Sequence, residues 1–81
     1  MLTVSISECH SGGKSWSHTA RTNDKNVAVS RAIRKLFGRK AWFHRDSGLA
    51  NLGMYGQVVE PAYKNPGANN CLTGRVRVTV E

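Results

Sequence analysis

The chain has 81 residues, of which 40% are hydrophobic, and its twelve Lys and Arg against five Asp and Glu give a net charge of +7. This length predicts one compact domain, 1–81, that hides only about 60% of the extended chain's surface, and the ordinary apolar content excludes a disordered chain. The charge favours an anionic partner, which is nucleic acid, an acidic protein surface or an anionic membrane. A membrane partner is not expected, because no apolar run approaches the roughly 18 residues that a spanning helix needs.

The N-terminal segment predicts a β-hairpin. Apolar and polar residues alternate at 2–9 and again at 15–21, on either side of the turn sequence SGGK at 11–14. The first ten residues lack the charged n-region and cleavage site of a signal peptide, so a cytoplasmic location is expected.

A helix is predicted at about 24–37. Thr22, Asn23 and Asp24 offer N-cap oxygens at its start, and Gly38 is suited to its end. The residues between them recur at the spacing of one apolar stripe, formed by Val29, Ala32, Ile33, Leu36 and Phe37.

Three further strands complete the predicted order ββαβββ. Ala41 to Arg45 is a short third strand in which Trp42 and Phe43 point to opposite faces. A loop at 47–53, a fourth strand at 54–61 and a polar loop at 63–70 follow. The final strand has the clearest alternation, with one face formed by Leu72, Gly74, Val76, Val78 and Val80.

One helix with one apolar stripe covers one face of one antiparallel sheet, so the fold class is a two-layer α+β sandwich. If the strand Val76–Val80 were an edge, pairing along it would form a dimer, so monomer and dimer both stay open. The sheet face away from the helix fits both an ordinary solvated surface and a platform for phosphates. It is expected to carry Thr3, Ser5, Ser17, Thr19, Arg21, Arg75 and Arg77.

The stretch RAIRKLFGRKAWFHR at 31–45 contains no acid and is the main candidate for a binding site. Cations three and four residues apart share a helix face, which is also what an ordinary solvated face of a basic protein shows. A surface that binds a polyanion or an acidic partner is the preferred interpretation, with Trp42 as an aromatic contact. Its expected cations are Arg31, Arg34, Lys35, Arg39, Lys40 and Arg45, with Arg75 and Arg77 added from the last strand.

Catalysis and metal binding are not expected. Histidine 44 and Asp46 could form a dyad, but no activated nucleophile accompanies them. A metal or other cofactor is not expected either, because no CxxC or HxxxH pair is present. The available ligands would be Cys9, His10, His18, His44 and Cys71. Two free thiols are favoured in a reducing compartment, although pairing of the first and last strands would also bring Cys9 near Cys71.

The ββαβββ layout, the helix NVAVSRAIRKLFG at 26–38 and the segment AWFHRDSG…MYGQVVEP resemble the small proteins that phages and mobile elements encode against host defence, anti-CRISPR proteins among them. The resemblance implies stoichiometric inhibition of a nucleic-acid-processing complex in the cytoplasm of a bacterial host. The alternative is a protein that binds DNA or RNA directly, using the same basic helix face on phosphates.

Overall fold

Alternating and helical periodicity produce the two layers that the sequence predicts. The computed structural model describes residues 1–49, 53–65 and 67–81, except for the side chains of 47–49. One helix packs on a six-stranded antiparallel sheet, which confirms the α+β fold class. The elements in chain order are β1 Leu2–Glu8, β2 Ser15–Ala20, α1 Lys25–Phe37, β3 Trp42–Leu49, β4 Gly53–Pro61, β5 Asn69–Cys71 and β6 Val76–Val80.

The helix begins and ends at the residues that the sequence predicts. The Asp24 side chain accepts a hydrogen bond from the Val27 backbone N–H at 3.1 Å, which satisfies one of the unpaired donors of the first turn. Gly38 has a φ of 132°, a conformation that a side chain would strain, and its N–H donates to the Arg34 carbonyl.

The sheet is open and has the strand order β2-β1-β6-β4-β3. Strand β4 pairs with β6 along its first half and with β5 along its second half. Strand β6 therefore lies inside the sheet, between β1 and β4, and dimerisation along a free Val76–Val80 edge is ruled out. Within the described residues, β2 and β3 are the outermost strands of this order, and the short β5 also pairs on one side only.

The core lies between α1 and the inner face of the sheet. The helix buries Ala28, Val29, Ala32 and Ile33, and the Trp16 ring meets Phe37 edge-on with the ring centroids 5.0 Å apart. Burying this apolar area is the main source of stability in a domain of this size. The sheet contributes fully buried side chains from its three inner strands β1, β4 and β6, namely Val4, Ile6, Val58, Val76 and Val78.

The second half of the chain differs from the prediction in three places. Strand β3 extends to Leu49 and carries a bulge between Arg45 and Ser47, so the predicted loop at 47–53 is wrong at 47–49 and at 53; residues 50–52 lie outside the described residues. Strand β5 was expected to be part of a polar loop, and it forms because its backbone pairs with β4. The last strand begins at Val76 rather than Leu72, because residues 72–75 connect β5 to β6.

No helix among the described residues is long and apolar enough to cross a membrane. Cys9 and Cys71 are both free and exposed, so the possible disulfide is not formed.

Candidate binding surfaces

The whole net charge of the chain is carried by residues 21–45. That segment contains eight Lys and Arg and one acid, Asp24, whereas the remainder contains four of each sign. The segment comprises α1, the turns at both of its ends and the start of β3. The charge is therefore concentrated on the helix layer of the fold.

Exposed cations lie on the side of α1 that faces away from the sheet and at the two positions after Gly38. We call this group the basic helix surface; it consists of Arg31, Arg34, Lys35, Arg39 and Lys40, all exposed. The apolar stripe of the helix turns toward the sheet, so the residues between the stripe positions must face solvent. Burial of the stripe thus fixes the orientation of the cations.

The contacts of these cations are to backbone carbonyls. Arginine 31 donates from Nη1 to the Arg21 carbonyl at 3.2 Å, and Arg34 donates from Nε to the Ser30 carbonyl at 3.3 Å. Among the described residues, no member of the basic helix surface forms an ion pair. Like charges at helical spacing repel one another by a few tenths of a kcal/mol per pair. An anionic partner would relieve that repulsion.

Arginine 45 lies near the start of the helix rather than on the basic helix surface. It is opposite Gly56 in the register of β3 and β4, on the side of the sheet that faces α1. It lines a cavity of about 520 Å³ together with Lys25, Asn26 and Met54. Arg45 and Lys25 therefore extend the positive charge along the helix layer toward the N-terminal end of α1.

The face of the sheet away from α1 has a different chemistry, and no described element covers it. We call it the open sheet face. Its residues are those that alternate with the buried valines and isoleucine on β1 and β6, together with their register partners. The β1 and β2 part is rich in hydroxyl groups, and two of them, Thr3 and Thr19, are hydrogen-bonded to each other at 3.0 Å. The face carries Thr3, Ser5, Ser7, Ser15, Ser17 and Thr19 from these two strands, in agreement with the alternation in the sequence.

Two of the predicted arginines are part of the open sheet face. Arg77 lies opposite Ser7 on one side and Tyr55 on the other. The Arg75 guanidinium lies over the Tyr55 ring, 5.3 Å from its centroid, and its Nη2 is 3.1 Å from Asp46 Oδ1. Asp46 is thereby engaged with Arg75. Arg21 was expected on this face, but it follows the end of β2 and its carbonyl accepts from Arg31 on the helix side.

Trp42 also lies on the open sheet face, while Phe43 packs against the core, which confirms that the two point in opposite directions. Trp42 is 38% exposed and lies opposite Val59, a residue only 4% exposed that stands outside the main core cluster. One row further along, His44 lies opposite Gln57. This part of the face thus combines aromatic, amide and imidazole side chains.

The predicted site residues therefore divide between the two faces of the sheet. The basic helix surface and Arg45 belong to the helix layer, and Trp42, Arg75 and Arg77 belong to the open sheet face. Arg45 and Arg77 nevertheless line the same cavity, so the two groups meet there. The sequence reasoning missed Tyr55 and Gln57, since MYGQVV has apolar residues at both odd and even positions and so gives no sign of which face is which.

No group of three or more His, Cys, Asp or Glu side chains that could hold a metal ion is found in the part of the chain that the structure describes. None of the buried side chains in that part is polar or charged.

Comparison of the chain with protein-family models, with curated proteins and with solved structures gives no match.

Proposed function

We propose that the protein is a non-catalytic binding protein that docks its basic helix surface on a nucleic-acid-processing complex of the CRISPR type and blocks it stoichiometrically. The observation that supports docking is the concentration of the full +7 charge in residues 21–45, with no ion pair on the basic helix surface among the described residues. Such a field attracts phosphates and carboxylates and accelerates encounter with them. The choice of a defence complex as the target rests on the resemblance in layout alone.

The second candidate is direct binding to the backbone of DNA or RNA. It is favoured by the absence of an exposed large apolar side chain between Arg31 and Lys40, since hot spots of protein interfaces usually include a buried aromatic or aliphatic anchor. Phosphate contacts of this kind fix position without reading sequence. On this hypothesis, binding is strong at low salt and indifferent to sequence.

A matched pair of charge-reversal variants tests the basic helix surface. R31E/K35E lowers the net charge from +7 to +3 on this surface, and K14E/K64E makes the same change at two exposed lysines elsewhere. We expect R31E/K35E to weaken binding to a DNA duplex or to the complex by at least roughly tenfold at low salt, because it removes two contacts and adds repulsion. K14E/K64E should lose clearly less affinity than R31E/K35E, and at about 0.15 M salt it should stay within about threefold of the wild type, because charges more than about 8 Å away are then largely screened.

The target class is tested by a pull-down from bacterial lysate with the immobilised wild type and both variants, with and without nuclease. A nucleic-acid-containing complex that the wild type and K14E/K64E retain, and that R31E/K35E loses, supports the docking proposal. Retention that survives R31E/K35E contradicts it. Equally tight binding of purified duplex at physiological salt, with no protein retained after nuclease, favours the direct nucleic-acid binder.

A further inference from the structure

The open sheet face has a function separate from the basic helix surface: we infer that its Trp42–Tyr55 region binds single-stranded nucleic acid, with bases stacked on the two rings and phosphates held by arginines. This inference rests on the open sheet face alone and stands whether or not the basic helix surface is a docking site. It concerns the face of the sheet away from α1. The residues that carry it are Trp42, His44, Tyr55, Gln57, Arg75 and Arg77.

The first observation is that two aromatic rings share one uncovered sheet face. Trp42 is opposite Val59 on β4, and Tyr55 lies four residues earlier on that strand, so the register places both residues on the face away from α1. Trp42, on the edge strand, also lines a small cavity with Asn26 and Val29 of α1. A large aromatic side chain is usually buried, yet Trp42 keeps 38% of its surface exposed. Rings displayed on a sheet are the usual platform on which single-stranded bases stack, because every base has a flat π face.

The second observation is the spacing of the rings. Four residues along a strand span about 13 Å, which is roughly four times the 3.4 Å rise of a stacked strand. A duplex cannot place its bases on both rings, since its bases remain stacked and paired. Only a strand whose bases are separated fits. The row of His44 and Gln57 lies between the two rings and offers hydrogen-bonding groups to a base edge.

The third observation is the position of the arginines. Arg77 is the register partner of Tyr55, and the Arg75 guanidinium lies against the Tyr55 ring and is ion-paired with Asp46. Arginine pairs with phosphate through two parallel hydrogen bonds and also stacks on aromatic rings and bases. Lysines are absent from the described strand positions of this face, which distinguishes it from the basic helix surface. The arrangement favours a ligand that combines flat rings with phosphates.

The test compares single-stranded and duplex binding for variants of the two rings. We expect W42A/Y55A to bind a fluorescein-labelled oligo(dT) at least about 30-fold more weakly than the wild type, because two stacked bases are lost at once. W42F/Y55F, which keeps both rings, should stay within about threefold. Binding to a DNA duplex should change little in either variant.

Tryptophan emission gives a second readout. Oligo(dT) should quench the emission of the wild type, while W42F, which retains only Trp16 beside Phe37, should show no quenching. Thermal melts confirm that the variants are folded, since both rings lie outside the main core cluster. Equal affinity of folded W42A/Y55A and wild type for oligo(dT), or equal quenching in W42F, overturns the inference and would leave the face as a protein contact.

Discussion

The helix layer and the open sheet face are built from the same domain but differ in how charge is placed on them. The helix layer carries all the net charge, and no ion pair is formed on its basic helix surface within the described residues. On the open sheet face, Arg75 is paired with Asp46 and stacked on Tyr55, and hydroxyl groups bond to one another. The helix layer therefore attracts anions over a long range, whereas the open sheet face offers groups for direct contact with a ligand.

This difference follows from how each layer is assembled. A helix needs only its apolar stripe to pack, so its outer positions can hold like charges at a small cost. A sheet places neighbouring side chains about 5 Å apart across strands, where like charges directly opposite each other are destabilising. Arginines on the sheet are therefore interleaved with hydroxyl, aromatic and acidic groups.

The largest loss of stability should come from a substitution that weakens the packing of α1 on the sheet. Ile33 is fully buried on α1, so I33A should lower the free energy of unfolding by about 2–5 kcal/mol, measured by denaturant titration. The conservative I33V should cost about 0.5–1.5 kcal/mol. A loss for I33A no greater than that for I33V would contradict the packing of the helix on the sheet.

The pairing of β3 with β4 should be most sensitive at Gly56, which lies opposite Arg45 on the side of the sheet that faces α1. A methyl group there would run into the His44 carbonyl oxygen and lie 2.9 Å from Arg45 Cα, so G56A should destabilise the β3–β4 pairing by about 1–3 kcal/mol. The control is G74A, whose added carbon would meet nothing closer than a Glu8 oxygen at 4.0 Å and should stay within about 0.5 kcal/mol. Equal melting temperatures for the two variants would disagree with the close approach of β3 and β4.

Substitutions of Asp24 distinguish the effect of net charge on binding from the effect of helix capping on stability. D24A and D24N both raise the net charge to +8, but only Asn can still cap the helix through its side chain. D24A should therefore lose about 1 kcal/mol of stability and D24N only a few tenths. Binding of duplex by both variants, measured by fluorescence anisotropy, should equal or exceed that of the wild type. Weaker binding by D24N would argue against an electrostatic surface.

The smallest effect should come from the hairpin turn between β1 and β2, which belongs to neither binding surface. The pKa of Glu8 lies below its usual 4.5, mainly because its carboxylate accepts a hydrogen bond from the Lys14 backbone N–H and secondly because it is bonded to His10. The pKa of His10 lies above its usual 6.5, mainly because of its hydrogen bond to the Ser11 carbonyl and secondly because of Glu8. The Glu8 contribution is present above 4.5 and is lost as pH falls through its lowered pKa. The His10 contribution is present below 6.5 and is lost as pH rises through its raised pKa.

Both contributions are therefore present together between about pH 4.5 and 6.5. E8Q should flatten the dependence of melting temperature on pH on both sides of that window. Its binding to duplex should remain close to that of the wild type. An unchanged curve in E8Q would show that Glu8 and His10 do not interact in solution.

The sequence predicts the helix and strands that have a clear apolar periodicity of their own. It fails for segments whose structure depends on pairing with a strand distant in the chain. Helix α1 and strands β1 and β2 have clear apolar repeats, and Asp24 and Gly38 end the helix as expected. Strand β5 is three exposed residues, Asn69–Cys71, that form a strand only because β4 supplies hydrogen bonds. The residues of β5 alone therefore do not indicate that β4 will pair with them.

The candidate surfaces show the same division. The cations of the basic helix surface are identifiable from helical spacing, because the apolar stripe fixes which positions face out. The separation of Trp42, Arg75 and Arg77 from them depends on strand order, with β6 between β1 and β4. The position of Tyr55 beside Arg77 depends on a register that joins residues more than twenty positions apart.

The most direct test of the central claim is the salt dependence of duplex binding by the wild type, R31Q/K35Q and K14Q/K64Q between about 50 and 200 mM salt. If the five cations of the basic helix surface contact phosphates, the logarithmic slope for the wild type should be roughly −4 to −5. It should become less steep by about two in R31Q/K35Q and remain the same in K14Q/K64Q. Equal slopes for the wild type and R31Q/K35Q would contradict the assignment of polyanion binding to the basic helix surface.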